Sequence, residues 1–300
     1  MKSLTQVIVL ATLALITSCV SSNMRSIRSN TDLAVALKLN PDTKGNGVLA
    51  HCSNDVCVIL TVAHLCHPVA LAESVIQENM EGHLSDERTS EILGNYEELI
   101  KNNSFCNGKA IIKGLKEPAN VTPILIDFDK DLMLMAVYAP GIKSNMGISA
   151  LKKIKPGTSL YTVIIDPHFN RKLVLFSKAG IVNRATPDGS HEQDYLQTNF
   201  PVGPGASGSG VFLEESNLLM GLIGAQFTSG DIFSPIRSTY LIQTKKLQSV
   251  FNQYTEKKND SKLDWPHCFG EKQLCKLVHG ETTILEAFRH LYNEKDSPKK

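Results

Sequence analysis

The chain lacks a charge excess. Its 31 Lys and Arg against 30 Asp and Glu leave a formal net charge of +1 over 300 residues, which excludes the basic footprint that nucleic-acid binding requires. It lacks a bilayer-spanning run: the apolar stretch Val7–Ile16 falls well short of the roughly 20 residues a transmembrane helix needs. No two cysteines stand in C-x-x-C spacing, so the commonest zinc knuckle is absent. The turn Gly205-Ala206-Ser207-Gly208-Ser209 departs from the G-x-S-x-G elbow, and an apolar strand follows it where an α/β-hydrolase has a helix. That excludes an esterase of that class.

With 42% hydrophobic and 20% charged residues, the composition is that of a soluble globule able to bury a core. Short apolar runs recur at Gly47–Ala50, Val56–Leu60, Ala110–Ile112, Thr122–Ile126, Leu132–Val137, Leu160–Ile164, Leu173–Phe176, Tyr195–Thr198, Val211–Leu213 and Leu219–Ile223, separated by Gly, Pro, Asn and Asp. That rhythm predicts an all-β barrel or sandwich. Helical faces are expected in three places: Ile92, Leu93, Tyr96, Leu99 and Ile100; Leu247, Val250, Phe251 and Tyr254 behind a Thr244 cap; and Thr283–Glu294 behind a Thr283/Glu286 capping box.

Lys2 followed by Val7–Ile16 has the profile of an export signal. Ile16-Thr17-Ser18-Cys19 resembles a bacterial lipobox, which implies a lipid on Cys19 and an exported lipoprotein of the cell envelope, on the periplasmic side of the outer membrane or secreted. The expected organisation is a signal segment over 1–19, a polar tether over 20–45, a main domain over 46–254 with an insertion near 68–105, and a C-terminal extension over 255–300.

Setting Cys19 aside leaves six of the seven cysteines, an even number in an oxidising compartment, so disulfides are expected. Cys52-Ser53-Asn54-Asp55-Val56-Cys57 has the spacing of a hairpin whose Asn-Asp turn sets the two cysteines opposite each other. Cys66 would then pair with Cys106, and Cys268 with Cys275. A rival reading gathers His51, Cys52, Cys57, Cys66 and His67 around zinc.

Three residues carry the chemistry. Ser207 sits in a glycine-packed turn, GPGASGSG, where the amides of Gly205 and Ser207 can face a developing oxyanion. A serine hydroxyl needs a base, and that base needs a carboxylate to fix its tautomer. His64 follows the apolar strand VCVILTVA, and Asp131 heads LMLMAV. At these residues the chain resembles the trypsin-like serine proteases of chymotrypsin fold. Thr61-Val62-Ala63-His64 is similar to the family's T-x-A-H, Asp127 to Val137 to its D-x-x-x-D-L-A-V-L-K-V, and Gln197 to Phe212 to the nucleophile run of bacterial HtrA-type peptidases.

The resemblance implies two packed six-stranded Greek-key barrels with a helical insertion and C-terminal helices, and too few residues follow them for a PDZ domain. It implies a serine endopeptidase with His64 as base, Asp131 as its orienter, Ser207 as nucleophile and the Gly205 and Ser207 amides as oxyanion hole. It draws the primary pocket from Pro201, Val202, Ile223, Gly224, Ala225 and Gln226. Because Pro201 stands six positions before Ser207, where an acid would select Arg or Lys, a small or apolar side chain is expected there. The Ala206 that precedes Ser207 cannot pair with a newly cut N-terminus, so no cleavage switch is expected. The implied partner is a protein or peptide substrate; no cofactor or metal is implied, and membrane contact is by the lipid alone. The alternative function is an inactive peptidase fold serving as an anchored binding module.

Overall fold

The computed structural model describes residues 30–102, 104–144, 146, 155–166, 171–180, 195–203, 205–229, 236–243, 249–250, 252, 267–269, 272–279 and 281–283. The expected signal segment, Cys19 and nearly all of the Thr283–Glu294 helix lie outside them. So does most of the helix expected after Thr244, of which Ser249, Val250 and Asn252 are described as helical.

The fold is mostly β. The first unit contains β1 (Ala34–Leu39), β2 (Thr43–Ser53), β3 (Val56–Thr61), β4 (Gly108–Ile112), β5 (Ala119–Asp127) and β6 (Leu132–Tyr138). Their order β5-β4-β1-β2-β3-β6, with β6 pairing back to β5, closes a six-stranded barrel. The β2–β3 hairpin turns at Asn54 and Asp55, with φ of 51° and 62°, the two left-handed residues of a type I′ turn. Cys52 faces Cys57 across it, and the two form a disulfide.

The second unit is a six-stranded sheet in the order β8-β7-β10-β11-β12-β9. It is formed by β7 (Ser159–Asp166), β8 (Arg171–Lys178), β9 (Tyr195–Thr198), β10 (Gly210–Leu213), β11 (Leu219–Ser229) and β12 (Ile236–Gln243). Its edges approach each other at one isolated bridge, Ala179 to Thr198. Of the two barrels expected, the first is closed, and the described residues show the second as a sheet. The alternation of strand side chains lets this sheet serve two cores. Tyr161, Val163, Ile165, Phe212, Leu219 and Leu222 join the barrel's core; Leu160, Ile164, Val211, Leu213, Met220 and Ile223 build a second one with Phe200, Val202 and Ala206.

Three findings correct the sequence expectation. The tether expected over 20–45 is structured from Asn30 onward, because β1 lies between β2 and β4 in the barrel wall and all of it except Lys38 is buried. The insertion after β3 holds two helices, α1 (Pro68–Met80) and α2 (Asp86–Lys101); Ser85 caps the second by accepting from the Arg88 amide. Beyond the second unit, β13 (His267–Phe269) pairs parallel with the end of β5, and α3 (Lys272–Val278) follows. The Cys268–Cys275 disulfide joins these last two elements.

The chain enters the fold over the seam between the units. Asn30 Nδ2 donates to Tyr161 Oη at 2.8 Å and to the Asn217 carbonyl at 2.7 Å, and the Tyr161 hydroxyl donates to Asn217 Oδ1 at 2.8 Å. Tyr161 is fully buried, its ring stacked on Phe212 at 5.3 Å. Burial pushes its phenol up to about 12, against the Asn30 hydrogen bond, which favours the ionised form. An unfolded tyrosine titrates near 10. As pH rises from about 10 to 12 the unfolded chain releases a proton that the folded chain keeps, so stability falls through that window by about 2–3 kcal/mol in total. Tyr161→Phe is expected to remove this alkaline loss while lowering stability at neutral pH by about 1–3 kcal/mol, because Asn217 Oδ1 and Asn30 Nδ2 lose a buried partner. Urea unfolding across pH 7–12 tests it; equal alkaline slopes in both proteins would refute it.

Candidate active site

β3 delivers His64. The strand ends at Thr61, which is buried and donates from Oγ1 to the Asn46 carbonyl at 2.6 Å. Val62 stays extended, and a single 3₁₀ turn over Ala63–Cys66 then carries His64 outward until its side chain is 38% exposed. The Cys66–Cys106 disulfide ties this turn to the approach to β4 across the helical insertion.

The β5–β6 turn delivers Asp131. Asp127, almost wholly buried, accepts from the Lys130 amide at 3.0 Å and from Lys130 Nζ at 2.5 Å. Asp131 donates its amide to the Phe128 carbonyl at 3.3 Å and sits at φ 53°, a left-handed conformation that aspartate tolerates better than most residues. Its carboxylate reaches His64 twice, with Oδ1 accepting from the backbone amide at 2.8 Å and Oδ2 lying 2.8 Å from Nδ1. An ionised carboxylate only accepts, so Nδ1 carries the hydrogen and Nε2 is the free basic nitrogen. His67 packs edge-on against Phe128, centroids 5.4 Å apart. Burial lowers its pKa, with the Asp131 charge opposing, so the second imidazole beside the pair favours its neutral form.

The serine turn comes from the other unit. Gly205 and Gly208 take φ of 86° and 83°, which glycine alone adopts without strain. Gly208 donates to the Ile223 carbonyl at 2.8 Å, and Ile223 donates to that of Ser209 at 2.9 Å, so the turn is fastened to β11. β2 fastens its other side: the Asn46 amide donates to the Ser207 carbonyl at 2.8 Å, and Asn46 Nδ2 to that of Gly205 at 2.7 Å. A Cβ on Gly45 would meet both Leu65, the neighbour of His64, and the Ser207 carbonyl, the latter at 3.2 Å. The serine and histidine segments therefore converge on one glycine of β2. Among the described residues, the amides of Gly205 and Ser207 are engaged by no protein acceptor, and no hydrogen bond joins Ser207 Oγ to His64 Nε2.

Of the residues expected around the primary pocket, Pro201 is exposed, Gly224 is buried, and Val202 and Ile223 are packed in the second core. Ala225 and Gln226 continue β11, paired with Tyr240 and Thr239. The disulfides claim Cys52, Cys57 and Cys66, which removes three thiolates from the rival zinc reading. Sequence reasoning missed Asn46 and the Asp127–Lys130 brace. The first had a visible signal, a polar residue between two glycines just before the apolar run Val48–Ala50.

No protein-family model and no curated protein matches the sequence. Solved structures do match it in shape. Deg5 superimposes with a TM-score of 0.53 at 13% identity, over 76% of this chain and 90% of that one. Rv3671c from M. tuberculosis H37Rv, in the inactive form of a serine-to-alanine mutant, gives a TM-score of 0.51 at 11% identity, over 80% of this chain and 93% of that one. At such identities the likeness is one of fold: the chain has a trypsin-like protease fold, with one closed barrel and a second sheet.

The position of Gly208 generates a prediction. A Cβ there would strike the Asn46 carbonyl and Thr61 Oγ1, and the φ is one L side chains avoid. Neither obstacle is the free end of a flexible chain, so Gly208→Ala is expected to cost about 2–4 kcal/mol. Thermal unfolding checks it; for a domain of this size that cost lowers Tm by roughly 5–15 °C, and an unchanged Tm would refute the close approach.

Proposed function

We propose that the chain is a serine endopeptidase acting through His64, Asp131 and Ser207. One observation carries the reading: a histidine held at two points by a carboxylate, on the barrel, and a glycine turn that offers a serine, on the second unit, belong to segments that meet at Gly45 of β2. In the proposed reaction Ser207 Oγ bonds to the substrate carbonyl carbon as its proton passes to His64 Nε2. Asp131 stabilises the resulting imidazolium, and the Gly205 and Ser207 amides receive the oxyanion. The C–N bond then breaks as Nε2 returns the proton to the leaving amine, and water repeats the sequence on the acyl-enzyme. A small or apolar side chain is proposed for the primary pocket, since Pro201 supplies no charge for Arg or Lys.

A fluorophosphonate probe tests the chemistry without knowledge of substrate. Wild type is expected to label at Ser207, Ser207→Ala not at all, and His64→Ala and Asp131→Asn slower by about 10⁴-fold, all three variants folding as wild type does. Full labelling of Ser207→Ala would move the nucleophile elsewhere; absence of labelling in wild type would favour the anchored binding module.

We also propose export and lipid anchoring at Cys19. The three disulfides support an oxidising compartment. Several acyl chains on one residue, at about 0.8 kcal/mol per buried methylene, hold a protein to a bilayer. Cys19→Ser is accordingly expected to move the protein from the membrane fraction to the soluble one with labelling unaltered, and a variant that stays in the membrane would sink the anchor.

A further inference from the structure

Asn46 is fully buried, and every polar group it owns is engaged by a different part of the chain. Its amide donates to the Ser207 carbonyl at 2.8 Å, and its carbonyl accepts from Thr61 Oγ1 at 2.6 Å. Its side-chain Oδ1 accepts from the Ile165 amide at 2.8 Å, and Nδ2 donates to the Ile165 carbonyl at 3.1 Å and to that of Gly205 at 2.7 Å. The side chain thus pairs with β7 as a strand residue would, taking both of Ile165's backbone groups, and spends its remaining donor hydrogen on the serine turn.

We infer that Asn46 is a positioning residue for the oxyanion hole: its side-chain amide holds the Gly205–Ser207 turn in the anion-binding conformation and ties that conformation to the packing of barrel on sheet. The inference rests on the proposed peptidase reading. Gly205 and Ser207, the two residues whose amides are proposed for the oxyanion, both have their carbonyls pinned by Asn46. The Gly205 carbonyl shares its peptide with the Ala206 amide and the Ser207 carbonyl shares its peptide with the Gly208 amide, so Asn46 fixes two peptide planes of the turn; the plane between them, which carries the Ser207 amide, is held by the Ala206 carbonyl accepting from the Ser209 amide at 3.0 Å. Swinging the turn out of this arrangement leaves a buried group of Asn46 unpaired, which costs its desolvation. The conformation needs such a hold because Gly205, with no Cβ, moves freely among alternatives.

The side chain and the backbone of Asn46 make separable contributions. Any residue but proline at 46 keeps the bonds to Ser207 and Thr61; the side chain alone makes those to Gly205 and Ile165. Asn46→Ser, small enough for its place between two glycines, retains the first set and loses the second. Asn46→Asp keeps the shape but turns the donor facing the Gly205 carbonyl into an acceptor.

The test measures fluorophosphonate labelling rate per folded molecule, with labelling stoichiometry, across pH 5–9 in full-length wild type, Asn46→Ser and Asn46→Asp. Hydrogen exchange of a peptide spanning residues 203–209 is measured alongside. The expected result is a rate lower by about 10²-fold in both variants, the scale of one lost oxyanion donor, with unchanged stoichiometry, an unchanged midpoint of the pH profile and faster exchange in the turn. A role confined to stability would instead lower the folded fraction and leave rate per folded molecule and exchange alone, and that result overturns the inference, as does a shifted midpoint, which would place the effect on His64. Should Asn46→Asp fail to fold, Asn46→Ser decides by the same readings. A wild type that does not label overturns the peptidase reading and the inference with it, whereas a labelled wild type with indifferent variants overturns the inference alone.

Discussion

The closure of the barrel by β6 is the constraint on which the site depends. β6 pairs on one side with β3 and on the other with β5, and its first two residues meet the ends of both: Met133 stands opposite Thr61, and Leu132 opposite Asp127. Asp131 is the residue just before β6, and His64 lies three beyond Thr61. Register alone therefore brings a histidine and an aspartate 67 positions apart to the same rim. A slip of one residue in either pairing would swap the faces of Leu132–Met135, all four fully buried, so that each would have to repack in the space shaped for its neighbour. The geometry of the His64–Asp131 pair is thus protected by core burial alone.

The serine turn depends on a different seam. β7, β10 and β11 each show alternate residues to the barrel core and to their own, so the sheet cannot slide on the barrel without disturbing both. Asn46 adds a polar lock to this apolar one. Buried amides are costly unless every atom is paired, and here the partners come from β7, from the serine turn and from the end of β3. Asn46, through its side chain and backbone together, thus ties the serine turn to the end of β3, two of the three segments that the proposed chemistry brings together, and to β7.

What was legible in the sequence was local. His64, Asp131 and Ser207 each stand at a strand end that apolar runs and turn residues announce, and Asn54-Asp55 between spaced cysteines is a hairpin signal that needs no tertiary information. β1 was missed because its apolar run, Leu33–Leu37, lies within a stretch otherwise polar enough to read as a tether, and its place in the wall comes from pairing with Val48 to Thr43 on one side and Ile112 to Gly108 on the other. β13 is only three residues long, below any periodic signal, and pairs with Leu125–Asp127, the end of β5 that runs on past its pairing with β4. Asn46 advertised itself by its glycine neighbours, yet its partners lie 119 and 159 residues away, a distance across which no local pattern speaks.

β13 also explains how a strained residue is kept in place. Asp131 sits at positive φ, a conformation that costs a non-glycine residue about 1–3 kcal/mol and persists only where its surroundings over-determine it. Those surroundings are all present. Asp127 and Lys130 brace the turn from within, and the Phe128 amide donates outward to the Phe269 carbonyl of β13 at 3.0 Å. The Phe128 ring rests on His67, one residue beyond the disulfide-bonded Cys66. Cys268, next to Phe269, is itself bridged to α3. The aspartate is thus held by a turn clamped between two disulfide-anchored segments, one of which comes from the far end of the chain. Its carboxylate therefore meets His64 in a fixed orientation, and in the proposed reaction a group that stabilises a transient imidazolium gains most from being rigid.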